Sequence, residues 1–307
     1  MSQGTQTQEQ RTPGQNDHFK PSTALRNWLA RIFIGVVFVA TIIGIVVLAV
    51  LLVDVLVTGW PGLSWDFITN FPSFVSPEIA GILPGLLGSM WLIVLTALFA
   101  VPLGVGAAIY LEEYAEDTWI NRIVEINIAN LAGVPSIIYG LLGLAIFVGY
   151  LGPLTGGKSI LSGALTLSLL ILPVIIISAR EAIRTVPDTV REGAFALGAS
   201  RWQAIRDHVL PMSLPGALTG TILALSRALG ETAPLIVIGA ATYLTFNPEG
   251  PRSNFTALPM LIYSYVSQPN QEFQETIAAA GIIVLMVLLL VMNSSAIILR
   301  NRWQKRS

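Results

Sequence analysis

Arg227 and Glu231 stand four residues apart inside the apolar stretch 212–241, and Arg227 is the one basic residue set deep in a stretch of that kind. Charge in hydrocarbon costs from about 3 kcal/mol upward, so such groups face a bundle interior or a wet cavity. Two readings of the pair stand. It is an intrahelical ion pair, in which case its order, base before acid, is the less favourable one and its contribution to stability is small. Or Arg227 meets an anionic solute with its planar fork of donors, and Glu231 holds and partly neutralises it between encounters.

A second group of residues suits mechanical work rather than bond-making. Between two apolar stretches lies a charged island, Pro187–Pro211. Asp188 is positioned as an N-cap and Glu192 falls in the first turn, both favoured by free amides and the helix dipole. Val190, Ala194 and Leu197 recur at helical spacing. Gly198 ends that helix, Ser200 starts a second carrying Trp202, Ile205 and Val209, and Leu210-Pro211 enters the next stretch. A helix-turn-helix between two membrane crossings is a rigid elbow on which another protein can push.

The third pattern, Gly152 to Ser159, matches the phosphate-cradling loop G-x-x-x-x-G-K-[ST]. That chemistry needs a strand before the loop, a helix opening onto the phosphates and an Asp that holds magnesium. Here the segment joins two apolar stretches with no α/β context, so the match is a coincidence of spelling. If ATP drives this protein, another chain hydrolyses it.

The elements that must position these residues are membrane helices. Hydrophobic residues make up 53% of the chain and charged ones 11%, with mean hydropathy +0.70, against roughly 25% charged in soluble domains. Six runs, 32–57, 83–111, 126–151, 160–183, 212–241 and 276–299, reach the roughly 20 residues that cross a bilayer. The expected fold is an all-α polytopic membrane protein of six spans. Fourteen of the seventeen Lys and Arg residues flank one set of span ends, which puts both termini in the cytoplasm. Residues 1–28 read as a disordered cytoplasmic lead and 29–307 as the membrane domain, with the elbow at about 185–211. With no Cys, and with His18 far from His208, disulfide, thiolate and histidine-cluster metal chemistry are unsupported.

Local features refine the elements. Trp60, Trp65, Phe67, Phe71 and Phe74 in the 58–82 loop suit an interfacial belt or a short surface helix. The acidic loop 112–125 leads amphipathically into the third span as a short interfacial helix. Prolines 84, 102, 135, 173, 215 and 234 imply kinks. Gly216 and Gly220 allow close helix approach.

Glu192-Gly-Ala194, three residues, Gly198, nine residues and His208-Val-Leu-Pro211 resemble the EAA loop of ABC-importer permeases, E-A-A, three residues, G, nine residues, I-x-L-P. Gly193 and His208 depart from that pattern without changing its spacing. Ser226-Arg-Ala-Leu-Gly-Glu-Thr-Ala-Pro234, with Ala257-Leu-Pro-Met-Leu-Ile-Tyr263 and the Met292-Asn293 and Leu299–Arg302 segments, resembles phosphate transport permeases of the PstA type. The resemblance implies a type I ABC-importer (MetI-like) permease in a bacterial inner membrane, with Glu192, Gly193, Ala194, Gly198 and Ala199 seated in a cytoplasmic ATPase. It places Arg227, Glu231 and Thr232 on a phosphate pathway. It implies a second permease of PstC type, two ATPase subunits of PstB type that use ATP and magnesium, and an extracytoplasmic phosphate-binding protein of PstS type. Inorganic phosphate and membrane lipid are the other partners, with no nucleic acid, no cofactor bound directly and no catalysis by the chain itself. The rival readings are a permease for molybdate or sulfate, and an ATP-independent secondary transporter, for which inverted repeats and further intramembrane charges would be expected.

Overall fold

The computed structural model describes residues 23–241 and 243–304. The chain divides into two units, residues 1–53 and 54–307. The first is described from Thr23 as the greater part of α1 (Thr23–Gly59), a 37-residue helix. Its Ile, Val and Leu side chains fall on every side of the axis, as in a helix that meets lipid or protein all round. Residues 1–22 of the expected lead lie outside the described residues, and Thr23–Trp28 are the opening turns of α1.

The second unit is built from helices, with no strand among its described residues. In order they are α2 (Trp65–Thr69), α3 (Leu83–Ile109), α4 (Trp119–Ala132), α5 (Ser136–Gly143), α6 (Gly152–Thr155) and α7 (Ile160–Arg184). There follow α8 (Asp188–Ala196), α9 (Arg201–Ala204), α10 (Leu210–Gly230), α11 (Ala233–Ile238), α12 (Leu258–Val266) and α13 (Ala278–Gln304). Wider π turns extend α3 through Tyr114, α5 through Tyr150 and α9 through Val209, and another, Phe273–Ile277, precedes α13. Among the described residues five helices, α1 included, are long and apolar enough to cross a membrane, and six crossings result when the bent pair of α4 and α5 counts as one.

That bent pair corrects the third span. A single run was expected over 126–151, but α4 starts at Trp119, stops at Gly133, and resumes as α5 after a bend of 103°. Pro135 has no N–H to continue the ladder and pushes Val134 out of the helical region, so the expected kink becomes a break. The Tyr139 hydroxyl reaches back 2.8 Å to the Leu131 carbonyl, satisfying an acceptor at the broken end.

The fifth span also departs from expectation. The run 212–241 was read as one helix, whereas α10 ends at Gly230, Glu231 turns extended (ψ 117°), and Pro234 sits in the first turn of α11, where a missing N–H is tolerated. The aromatic loop before α3 is a short helix, not only a belt. Ser64 caps α2 by accepting from the Phe67 amide at 3.0 Å. Phe67 is buried, while Trp60 and Trp65 stay exposed.

At the centre lies α7, the most buried of the long apolar helices. Ile171, Ile175, Ala179 and Ile183 of α7 are buried against α3 and α10 residues such as Ala100, Ala108, Ala217 and Ala224. Small residues make this proximity feasible in lipid, where no hydrophobic force favours helix pairing. A Cβ on Gly216 would lie 2.8 Å from that of Ala182, and one on Gly220 would collide with Ser178. Polar seams add register: Thr96 of α3 donates to the Ala164 carbonyl at 3.4 Å, Ser168 of α7 donates to the Thr96 carbonyl at 3.3 Å, and Arg300 of α13 donates to Thr219 of α10 at 2.8 Å.

Candidate functional site

The elbow forms where the sequence places it, and two end motifs meet at its bend. The α8 helix closes as a Schellman turn, with the Ala199 amide donating to Ala194 at 3.0 Å and the Gly198 amide to Phe195 at 2.9 Å. Gly198 takes φ +84°, a left-handed conformation that costs a side-chain-bearing residue about 1–2 kcal/mol. Two residues later Ser200 opens α9 with a capping box: its hydroxyl accepts from the Gln203 amide and the Gln203 side chain accepts from the Ser200 amide. The N-cap of α8 is Pro187, not Asp188, which is the first helical residue and makes no capping bond.

Burial sorts the faces of the elbow. Ala194, Ile205 and Val209 turn inward, whereas Leu197, expected on the same face as Val190 and Ala194, is 91% exposed. The helix has already ended at Ala196, so Leu197 no longer follows the helical phase. Phe195 and Trp202 are also exposed, as are Glu192, Gly193 and Gly198, with Ala199 half-buried. The tip of the elbow therefore combines three large apolar side chains with a small-residue bend.

A network that the sequence reading did not assign holds the elbow from behind. Glu113 ends α3 in its π turn with its side chain 7% exposed, and accepts from Arg191 of α8 at 2.6 Å and 3.1 Å. Arg191 also donates to the Val186 carbonyl at 2.8 Å and the Ile183 carbonyl at 3.3 Å, closing the α7 end, and to Asp188 at 3.2 Å. The Glu113 hydrogen bond, opposed by partial burial, holds the Arg191 guanidinium more firmly charged than a free one. Glu112 takes Arg180 at 3.2 Å and Arg184 at 2.8 Å on α7, and Glu125 of α4 takes Arg180 at 2.7 Å. Tyr114 places its ring 5.1 Å below the Arg201 guanidinium. The acidic run 112–125 carried the signal, but partners 55 to 78 residues away are not visible in a local pattern.

At the far end of α10, Arg227 and Glu231 do meet, Nε to Oε1 at 3.3 Å. The guanidinium is 53% exposed and the carboxylate 18%. Arg227 belongs to the last turn of α10, about 26 Å from Leu210 along the axis. Its cation thus also faces the carbonyl end of the helix dipole. Ser226 beside it donates to Asn293 of α13. Thr232 is the N-cap of α11 without a side-chain capping bond.

The segment Gly152–Ser159 lies before α7, a 25-residue helix about 37 Å long that separates it from the elbow. Its hydroxyls are spent internally: Ser159 donates to the Thr155 carbonyl at 2.6 Å and Thr155 to the Phe147 carbonyl at 2.7 Å. Ser162 donates to the Gly157 carbonyl at 2.6 Å.

The family profile described as binding-protein-dependent transport system inner membrane component matches residues 100–305, which include α7, the elbow, α10 and α13. The chain belongs to this family. Among curated relatives of this inner membrane component, a probable ABC transporter permease protein of Bacillus subtilis, YqgH, is 36% identical over 204 residues, covering 64% of this chain and 64% of the relative. The phosphate transport system permease protein PstA of Mycobacterium leprae is 34% identical over 249 residues, covering 80% and 79%. The chain thus spans a little under two thirds of the length of the Bacillus relative. Among solved structures, a chain of a bacterial alginate ABC transporter aligns with TM-score 0.65 at 18% identity, over 91% of this chain and 96% of that one. A chain of the MetNI methionine ABC transporter aligns with TM-score 0.58 at 17% identity, over 72% and 95%. The fold is that of the MetI-like ABC-importer permeases, as the sequence implied, and the family is a component of the inner membrane.

Proposed function

We propose that the chain is a membrane-spanning permease subunit of an ATP-driven phosphate importer. In this reading it forms the phosphate pathway with a second permease of PstC type, takes force from two ATPase subunits of PstB type, and receives solute from a PstS-type binding protein. Both termini and the elbow face the cytoplasm, ATP and magnesium are used by the ATPase subunits, and no bond to phosphate is made or broken here. The observation that carries the reading is the elbow tip. Phe195, Leu197 and Trp202 stand exposed around the left-handed Gly198, on a bend fixed by two adjacent end motifs. Apolar groups clustered at the polar end of a membrane bundle mark a protein-binding surface. The relatives named as phosphate transport permeases support the substrate.

Arg227 supports the pathway. A half-exposed guanidinium at this depth is poorly matched to hydrocarbon. It shares a helical stripe with Met212, Leu223 and Gly230, all exposed on α10. That face is the one to be covered by the second permease and by the water-filled route between them. There Arg227 offers donors to phosphate, with Glu231 as its resting partner and Thr232 beside it.

The test is co-purification of tagged permease with its ATPase subunits, followed by labelled phosphate uptake in cells with and without this chain. The expected result is a stable complex and uptake that depends on the chain. Phosphate uptake that persists undiminished when the chain is deleted refutes the substrate; loss of molybdate or sulfate uptake instead would name the other oxyanion. Solute flux by the purified chain alone would refute coupling to an ATPase.

A further inference from the structure

Glu112, Glu113 and Tyr114, three consecutive residues at the end of α3, grip three different segments: Glu112 holds α7, Glu113 holds α8 and Tyr114 lies under Arg201 of α9. The elbow is joined through the chain to α7 before it and α10 after it, so force applied at its tip reaches those two helices covalently. It reaches α3 only through side chains. Glu113 is the most buried of these contacts, and its partner Arg191 is simultaneously bonded to the α7 end and to the turn between α7 and α8. Because Glu112 and Glu113 straddle that turn, α8 cannot tilt relative to α7 without breaking the pair or carrying α3 along.

We propose that the Glu113–Arg191 pair is the strut through which the elbow moves α3, so that Glu113 is a positioning residue for transport rather than a passive helix anchor. The proposal rests on the ATPase-coupled reading above. Its geometry fits the task. Arg191 presents Nε and Nη2 to one carboxylate, a two-pronged contact that resists rotation as well as separation. The π turn that carries Glu113 is an irregularity of the sort frequent at functional sites.

The experiment compares the unaltered importer, Glu113→Gln, Arg191→Gln and the double variant in proteoliposomes. Three quantities are read: ATPase retained on purification, ATP hydrolysed, and phosphate imported per ATP. For Glu113→Gln the expected result is ATPase retained, hydrolysis continuing, and phosphate per ATP lowered about tenfold, the effect of losing one charge-assisted hydrogen bond. In the Arg191→Gln background, Glu113→Gln should lower the ratio no further. Glu113→Asp, which keeps the charge but shortens the reach, should give an intermediate ratio and serves if the Gln variant does not assemble. An unchanged ratio in Glu113→Gln, or additive losses in the double variant, overturns the strut while leaving the proposed function intact. An unaltered protein that imports no phosphate on ATP hydrolysis overturns both.

Discussion

Replacing Gly198 separates two reasons for a glycine at the elbow. At φ +84° the residue is left-handed, yet a Cβ there would meet no atom of this chain within 4 Å. Within the chain the only cost of a side chain is therefore conformational, about 1–2 kcal/mol for Ala, less for Asn, which visits this region readily, and more for β-branched Val. If docking requires the observed bend, that cost appears in the affinity of the permease for its ATPase, at about 1.4 kcal/mol per tenfold. Gly198→Ala should weaken binding about tenfold, Gly198→Asn about twofold and Gly198→Val by more than Ala, with phosphate uptake falling in the same order. Titration of labelled ATPase onto permease in nanodiscs measures the series. Equal affinity for Gly, Ala and Val would refute the backbone argument. Asn binding as weakly as Val would show instead that a socket on the partner excludes any side chain, whatever its backbone preference.

Gly220→Leu drives its side chain into Ser178 where α10 and α7 pack; overpacking of about 1–3 kcal/mol or more should reduce folded monodisperse yield on size-exclusion chromatography. The control Gly193→Ala, at an exposed site with no neighbour within 4 Å, should keep yield and raise helix stability by about 1 kcal/mol, measured as a higher melting temperature. Arg227→Gln should lower phosphate uptake without loss of the assembled complex, whereas full uptake would return the Arg227–Glu231 contact to a structural pair.

What the sequence made legible was whatever local chemistry controls. The bend at Gly198 and the start at Ser200 follow from backbone preference and capping, and both stand at the expected positions. Helix content and the long crossings follow from apolar run length, which a bilayer dictates. Where the reading overreached, run length misled it. The stretches 126–151 and 212–241 are apolar enough to cross, but Pro135 and the Gly230–Pro234 segment divide them, and apolarity does not distinguish a straight helix from two short ones. Asp188 was misplaced by one residue because Pro187 already supplies the extended conformation that precedes a first turn. The grip of Glu112 and Glu113 on Arg180, Arg184 and Arg191 was invisible for a different reason. Several acids and several bases line one end of the bundle, and only the packing of α3 against α7 selects among their pairings.

The distribution of stiff and yielding contacts indicates where motion belongs. α7 and α10 form one unit, because α7 is the most buried crossing and Gly216 and Gly220 bring α10 against it. α13 is tied to that unit by polar contacts at two heights on α10, Ser226 with Asn293 and Thr219 with Arg300, seven residues and about 10 Å apart. α3 is fastened twice as well, by the Thr96 and Ser168 seam within the bundle and by its terminal acids at the elbow. The junction of α4 and α5 differs in kind. It has a 103° bend, a proline that removes a backbone bond, and one tyrosine hydroxyl spanning the gap. The α7 end grips α4 through Arg180 and Glu125, while α5 lies against α11, where a Cβ on Gly140 would come within 2.8 Å of Pro234. Displacement of the elbow is thus passed to α4 on one side of the bend and to the segment just beyond Arg227 and Glu231 on the other. The bend between those two attachments is therefore the least braced junction between the α7 end and the segment that follows Arg227 and Glu231.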